Sequence, residues 1–347
     1  MAVTLRGHVG RKGTKRSSVH QLVASILDAV ATWSSKLEWE ARFYRTAPAI
    51  TLNREGGAEF PKMGELLIGT SGWSYKEWEG VFYPGSGTSK LTYYSSVFGT
   101  AEIDSTFYAY PAKGLVFGWA RNTPRDFIFS SKLPRTITHD KKLDIGKGAE
   151  TDLVRFLSLM KPLIVAGKLG PVLIQLPPSF SYSNDYEKLK GFIGAVPEDI
   201  RFAVEFRHPS WLRGDVRSLL EKKNVAQVIT DEPLLPPELT VTADFSFIRW
   251  HGRGTRPWYN YRYNEAQLAE WVPKVKEVSS RVKKTFGYFN NHFRGFAVEN
   301  SLKMMGMLGV STPHQNAIGD QAKAFIEGGG KNSGEGSILE FVGGGGK

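Results

Sequence analysis

Residues 201–211 read RFAVEFRHPSW. An apolar run of Phe202, Ala203 and Val204 leads straight into Glu205, Arg207 and His208, and Pro209 and Ser210 close it ahead of a helical pattern. Continuous apolar segments that end in polar residues are expected of strands buried on both faces, the condition of parallel strands. A carboxylate, a guanidinium and an imidazole at the end of such a strand suit a site that handles charge. They also suit an ion pair between Glu205 and Arg207, which share a strand face, with His208 filling a loop.

The same signal recurs on either side of this stretch. Upstream it appears at 66–73 (LLIGTSGW), 101–108 (AEIDSTFY), 127–134 (FIFSSKLP) and 171–178 (PVLIQLPP). Downstream it appears at 225–232 (VAQVITDE), 245–252 (FSFIRWHG) and 284–292 (KTFGYFNNH). Helical patterns separate most of these segments, over 89–98, 115–121, 150–166, 186–193, 211–222 and 265–279, and another follows the last strand over 296–307. Only the gap DEPLLPPELT lacks one, because Pro233, Pro236 and Pro237 forbid it. Eight strands alternating with helices over about 250 residues predict an α/β fold of the TIM-type (β/α)8 barrel. A doubly wound open sheet is the alternative, but it would not need eight strands. No Gly-rich dinucleotide loop follows the first strand to support it.

Composition bounds the rest. Of 347 residues, 41% are apolar, enough for a sizeable core, and there is no cysteine, which excludes disulfides and thiolate chemistry. No run of about 18 apolar residues is present and no secretory leader pattern opens the chain, so a cytoplasmic protein without membrane spans is expected. The net charge is +11: residues 1–62 hold ten Lys/Arg against five Asp/Glu, and the remainder 35 against 29. Residues 1–18 are rich in Gly, Lys, Arg and Ser, a composition that disfavours order. Val19, Leu22, Val23, Ile26, Val30, Trp33 and Leu37 then predict one amphipathic helix. A linker over 46–62 brings the chain to Met63, which is an alternative start point. The expected organisation is a basic extension over 1–62 carrying that helix, a barrel over 63–315, and a flexible, disordered Gly-rich tail over 316–347.

In a barrel of this type the site forms at the carboxyl ends of the strands. Every expected strand delivers polar residues there: Thr70, Ser71 and Trp73; Glu102, Asp104 and Thr106; Lys132; Gln175; Glu205, Arg207 and His208; Asp231 and Glu232; Arg249 and His251; Asn290 and Asn291. The blocks GTSGWSYKEWEGVFYP, EIDSTFY, FSSKLPRTITH, LIQLPPSF, AVEFRHPSW, IRWHGR and YFNNH, in order within residues 66–305, resemble the YecE-like family, a domain of unknown function. That resemblance implies a TIM barrel and a pocket lined by Trp73, Glu102, Lys132, Gln175, Glu205, Arg207, His208, His251, Asn290 and Asn291. It implies no reaction.

The leading expectation is an enzyme, a hydrolase or lyase, acting on an anionic substrate that is phosphorylated, glycosidic or derived from nucleic acid. Glu205 and Glu102, with His208 and His251, would carry acid–base chemistry, because carboxylates in divergent environments divide the roles of acid and base. Lys132 and Arg207 would bind the anion, with Trp73, Gln175, Asp231, Arg249, Asn290 and Asn291 completing the substrate site. Ion pairing of Glu205 with Arg207 or Lys132 is the alternative use of the same charges. A divalent metal on carboxylates with His208, His251 and Asp231 is a further reading, disfavoured because no compact ligand spacing such as HExxH occurs. The aromatics Trp73, Tyr75, Trp78 and Tyr83, and Trp258, Tyr259, Tyr261 and Tyr263, suit either ligand stacking or packing over the barrel end. Competing with the enzyme are a nucleic-acid-binding module and a barrel that binds a small metabolite. The sequence leaves cofactor and oligomeric state open.

Overall fold

The segments that read as doubly buried strands form eight parallel strands in a computed structural model, which describes residues 63–329 except Leu234, Arg256 and Trp258. The strands are β1 Glu65–Thr70, β2 Thr100–Ile103, β3 Ile128–Lys132, β4 Leu169–Gln175, β5 Phe202–Glu205, β6 Ala226–Asp231, β7 Phe245–Trp250 and β8 Lys284–Phe289. Each is bonded to its successor from β2 to β8, and β8 pairs in parallel with β1 from Glu65↔Lys284 to Thr70↔Phe289. The helices are α1 Lys90–Val97, α2 Lys113–Arg121, α3 Ala149–Val165, α4 Tyr182–Ala195, α5 Gly214–Glu221, α6 Glu265–Ser280, α7 Phe296–Leu308 and α8 Pro313–Glu327. They fall between the strands as a (β/α)8 barrel requires, and no helix stands between β6 and β7, where the prolines forbid one. Among the described residues no helix is long and apolar enough to cross a membrane.

The ring closes between β1 and β2 by a different device. One parallel bridge joins Ser71 to Glu102, and the Gly72 amide donates to the Glu102 carbonyl at 2.8 Å. Below it the buried Tyr94 hydroxyl of α1 stands in for a ladder bond: it accepts from the Thr70 amide at 2.9 Å and donates to the Thr100 carbonyl at 3.1 Å. Gly69 allows the two backbones to meet there, since a Cβ on it would lie 2.3 Å from the Thr100 carbonyl oxygen.

Strand pleat sorts the side chains into two cores. Val172, Ile174, Phe202, Val204, Ile248 and Trp250 point outward and pack with the helices. Their alternates, among them Leu173, Ala203, Phe245, Phe247, Phe286 and Tyr288, form a second apolar cluster inside the barrel. That inner column stops one pleat short of the strands' carboxyl ends, where the inward positions become polar.

Two expectations are corrected and others fall outside the described residues. The tail expected from 316 is helical as far as Glu327: α8 opens with a capping box between Thr312 and Gln315, carries Pro at its first position and buries Ile318 and Ala322. The helix expected over 211–222 is a 3-10 turn, Pro209–Trp211, followed by α5. The extension over 1–62, its helix, and residues 330–347 are not described.

Candidate active site at the carboxyl ends of the strands

The inward pleat places Ser71, Glu102, Lys132, Gln175, Glu205, Glu232, Arg249 and His251 in one polar layer at the top of the barrel. At its centre is Glu205, fully buried at the end of β5. Its Oε1 accepts from Gln175 Nε2 at 2.7 Å and from Arg207 Nε at 2.6 Å, and its Oε2 accepts from Arg249 Nη1 at 2.7 Å. Burial alone would raise this carboxyl, but Arg207, Arg249 and His251 outweigh it and hold Glu205 well below the usual carboxylate range. Arg249 is also buried and reaches across the barrel, donating from Nη2 to Glu102 Oε1 at 2.6 Å; Ser71 Oγ donates to the same oxygen at 2.5 Å. Burial disfavours the Arg249 charge, yet Glu102 and Glu205 raise its proton affinity further still. Arg207 bonds a second carboxylate, Glu232 Oε2, through Nη1 at 2.6 Å.

His251 sits 3.2 Å from Glu205 Oε1 through Nε2, with Arg207 Nη2 3.1 Å and Arg249 Nη1 3.2 Å away. Asn290 Nδ2 lies 3.0 Å from its other ring nitrogen. Burial and the two guanidinium groups push the imidazole down to about 3, and the ring is neutral. Glu232 shows the reverse: burial raises it and Glu205 adds to the rise, so that despite Arg207 its carboxyl stands at about 7. Three atoms of this layer are buried and bonded to nothing: Glu102 Oε2, Glu232 Oε1 and Arg249 Nε. Buried polar atoms without partners are rare and costly, so they mark positions where a ligand or water completes the layer.

At the rim, Lys132 Nζ donates to Asp104 Oδ1 at 2.8 Å and lies 4.6 Å from the Phe107 ring centre. Burial raises the Asp104 carboxyl, but Lys132 outweighs it and leaves the group below its ordinary value. His139, on the π-helical turn Thr136–Asp140, is pushed down to about 4 by burial and then by Arg135 and Lys132, with Arg207 adding to them. Each of these cations is itself paired with a carboxylate, Lys132 with Asp104, Arg135 with Asp140, and Arg207 with Glu205 and Glu232.

The structure brings together most, not all, of the expected site. Glu102, Lys132, Gln175, Glu205, Arg207, Arg249, His251 and Asn290 meet. Asp231 points outward and binds Arg253 Nε at 3.0 Å and Trp271 Nε1 at 3.0 Å; its neighbour Glu232 holds the inward position. Asn291 is likewise outward, donating to the Tyr261 carbonyl and to Asn300 Oδ1, both at 2.8 Å, and so ties the loop after β7 to α7. His208 caps its own turn, accepting from the Ser210 amide at 3.2 Å. Trp73 packs on Trp119 and Phe129 of the outer core. With His208 and Asp231 elsewhere, the metal ligands considered from sequence do not converge, and among the described residues no group of three or more His, Asp and Glu is arranged for an ion. Ser71, Asp104 and Glu232, which the sequence places at strand ends without a role, belong to the site as well. Trp258 is not described.

Comparison with known proteins agrees with this architecture. Residues 67–323 match the family profile described as "Protein of unknown function DUF72". The UPF0759 protein YunF of Bacillus subtilis is 27% identical over 270 residues, covering 71% of this chain and 95% of the relative. UPF0759 protein YecE of Escherichia coli K12 is 30% identical over 171 residues, 48% of this chain and 59% of the relative. Among solved structures, a DUF72 family protein of Thermotoga maritima, TM1631, superposes with a TM-score of 0.65 at 34% identity over 71% of this chain and 99% of that one. The Enterococcus faecalis DUF72 protein EF0366 gives 0.60 at 26% identity over 72% and 99%.

Proposed function

Since this chain belongs to DUF72, a family of proteins of unknown function, we propose that it is an enzyme performing acid–base chemistry on an anionic, phosphate-containing substrate at the carboxyl-terminal mouth of the barrel. The observation that carries the reading is the pair Glu205 and Glu232, joined through Arg207. One carboxylate is saturated with donors, while the other keeps a buried oxygen without a partner. Two carboxyl groups whose surroundings separate their proton affinities divide the roles of fixed charge and proton carrier. Glu205 supplies the fixed charge that positions Arg207, Arg249 and His251. Glu232, which exchanges its proton near neutrality, gives that proton to the leaving oxygen of a phosphate ester as the P–O bond breaks and water supplies the attacking oxygen, its own proton passing to solvent. Arg207, bonded to Glu232 through Nη1, is the cation placed to touch both a bound phosphate and the acid.

The test is a screen of phosphate mono- and diesters with the natural chain and with Glu232→Gln. The expected result is turnover whose rate falls as pH rises through about 7 and which Glu232→Gln reduces by a factor of about 100 or more. Turnover that survives Glu232→Gln unchanged would remove Glu232 from the mechanism.

A further inference from the structure

Each helix from α1 to α7 follows a strand and runs back from the mouth, as the connections of parallel strands require. The helix α8 follows α7 and runs the other way. It starts at the amino-terminal end of the barrel, where Gln315 Nε2 donates to the Val97 carbonyl in the last turn of α1 at 2.6 Å. It ends at the mouth. There Arg262, in the loop after β7, donates from Nη2 to Glu327 Oε1 at 3.2 Å. Phe325 lies against Gly80 of the loop after β1, where an added Cβ would be 3.2 Å from the ring. The same helix touches the turn Phe293–Gly295 after β8. The chain beyond Gly329 therefore departs from the mouth, three loops of which already hold the end of α8.

Beside that point stands a cluster of rings open to solvent. Tyr259, 39% exposed, stacks on His292 with ring centres 5.1 Å apart and planes at 18°, and leans on Phe293 at 5.5 Å. Phe293 belongs to the turn that α8 touches, and Tyr259 stands three residues before Arg262, so the cluster adjoins the end of α8. An aromatic ring left in water forgoes part of the stabilisation that burial would give. The sequence after α8 holds one apolar cluster, Ile338, Leu339, Phe341 and Val342 of SILEFV, set between Gly-rich runs. The stretch from Gly329 to Ile338 spans at most about 30 Å. Eight tilted strands about 4.8 Å apart close a ring about 15 Å across, so the apolar cluster reaches any part of the mouth. We propose that residues 338–342 close over Tyr259 and Phe293 as a lid on the barrel mouth. Glycines in the tether let the chain turn back on itself at little steric cost. Closed, the segment buries Tyr259 and keeps water from the polar layer, which strengthens the electrostatic interactions there. The lid stands whichever reaction the mouth performs.

The test is hydrogen exchange of the full chain, read by mass spectrometry at two protein concentrations. The amides of 338–342 are expected to exchange at least about tenfold more slowly than in an unstructured chain of the same sequence. Phe341→Asp and Tyr259→Ala should each return them to the unstructured rate, and Tyr259→Phe should keep them slow. Phe341→Asp should also quicken exchange in the loop around Tyr259. Phe341 lies beyond α8 and Tyr259 is exposed, so neither change threatens the barrel. Exchange of 338–342 at the unstructured rate in the natural chain overturns the lid. Slow exchange that survives Tyr259→Ala overturns it too, because the segment then covers another face. Protection that grows with protein concentration does the same, because the segment then covers a second copy.

Discussion

Arg249 is the residue on which the polar layer depends. Its guanidinium has no access to water and spans two carboxylates on opposite sides of the barrel, Glu102 and Glu205. Removing one member of a buried ion network costs more than the network contributes, because the partners keep their desolvation and lose their compensation. Arg249→Met should therefore destabilise the chain by about 3–5 kcal/mol, read as a lower urea midpoint at neutral pH. The double variant Arg249→Met/Glu205→Gln should recover part of the loss. Equal stability of Arg249→Met and the natural chain would mean that these carboxylates do not depend on the cation. At this scale the sequence was legible in kind but not in direction. A charge at the end of an apolar strand announced Glu205, Arg207, Arg249 and His251. Asp231 and Glu232 stand side by side in VAQVITDE, as do Asn290 and Asn291 in YFNNH. Where both faces of a strand are buried, no polar alternation fixes the parity, and an error of one residue exchanges the inward side chain for the outward one.

At the scale of elements, closure depends on a helix side chain. β1 and β2 share little ladder, and the Tyr94 hydroxyl occupies the place where backbone would meet backbone. Tyr94→Phe leaves the ring and removes that bridge, stranding a buried amide and a buried carbonyl at the seam. The expected cost is about 1–3 kcal/mol, with faster hydrogen exchange at the Thr70 amide than at amides of the β7–β8 ladder. Unchanged exchange at Thr70 would show that the Ser71–Glu102 bridge alone closes the barrel. Nothing in YYSSVF marks Tyr94 for this task, since a tyrosine on an apolar helix face reads as core. The helix α8 is the opposite case, because its signals are present in the sequence. Thr312 and Gln315 form an N-terminal capping box around Pro313 at the first helical position, and Ile318, Ala322, Phe325 and Ile326 recur at helical spacing. The Gly-rich residues beyond 327 obscure them, since composition averaged over that end describes a flexible tail.

For the whole molecule, net charge says little about the site. Five of the eleven excess positive charges fall in residues 1–62, while the polar layer pairs Arg207, Arg249 and Lys132 with Glu102, Glu205, Glu232 and Asp104. What the layer does impose is a particular dependence of stability on pH. Glu232 has a folded value of about 7 against an ordinary 4.5, so the folded state holds this proton more tightly. Its contribution is complete below 4.5 and is lost as pH rises through 7. His251 has a folded value of about 3 against 6.5, so the folded state excludes this proton. Its contribution is complete above 6.5 and is lost as pH falls through 3. Between 4.5 and 6.5 each group contributes one proton of linkage, about 1.4 kcal/mol per pH unit, with opposite sign. These two slopes cancel, but His139 and His292, each at about 4 in the folded state against 6.5, add further contributions that rise with pH, so stability should rise through this window. Glu232→Gln should steepen that rise, and a His251→Gln chain should make it shallower. Urea unfolding from pH 3 to 8 measures all three curves. If the natural chain and Glu232→Gln rise in parallel through 4.5 to 6.5, Glu232 does not retain its proton in the folded state, and the case for it as the proton carrier fails with that result.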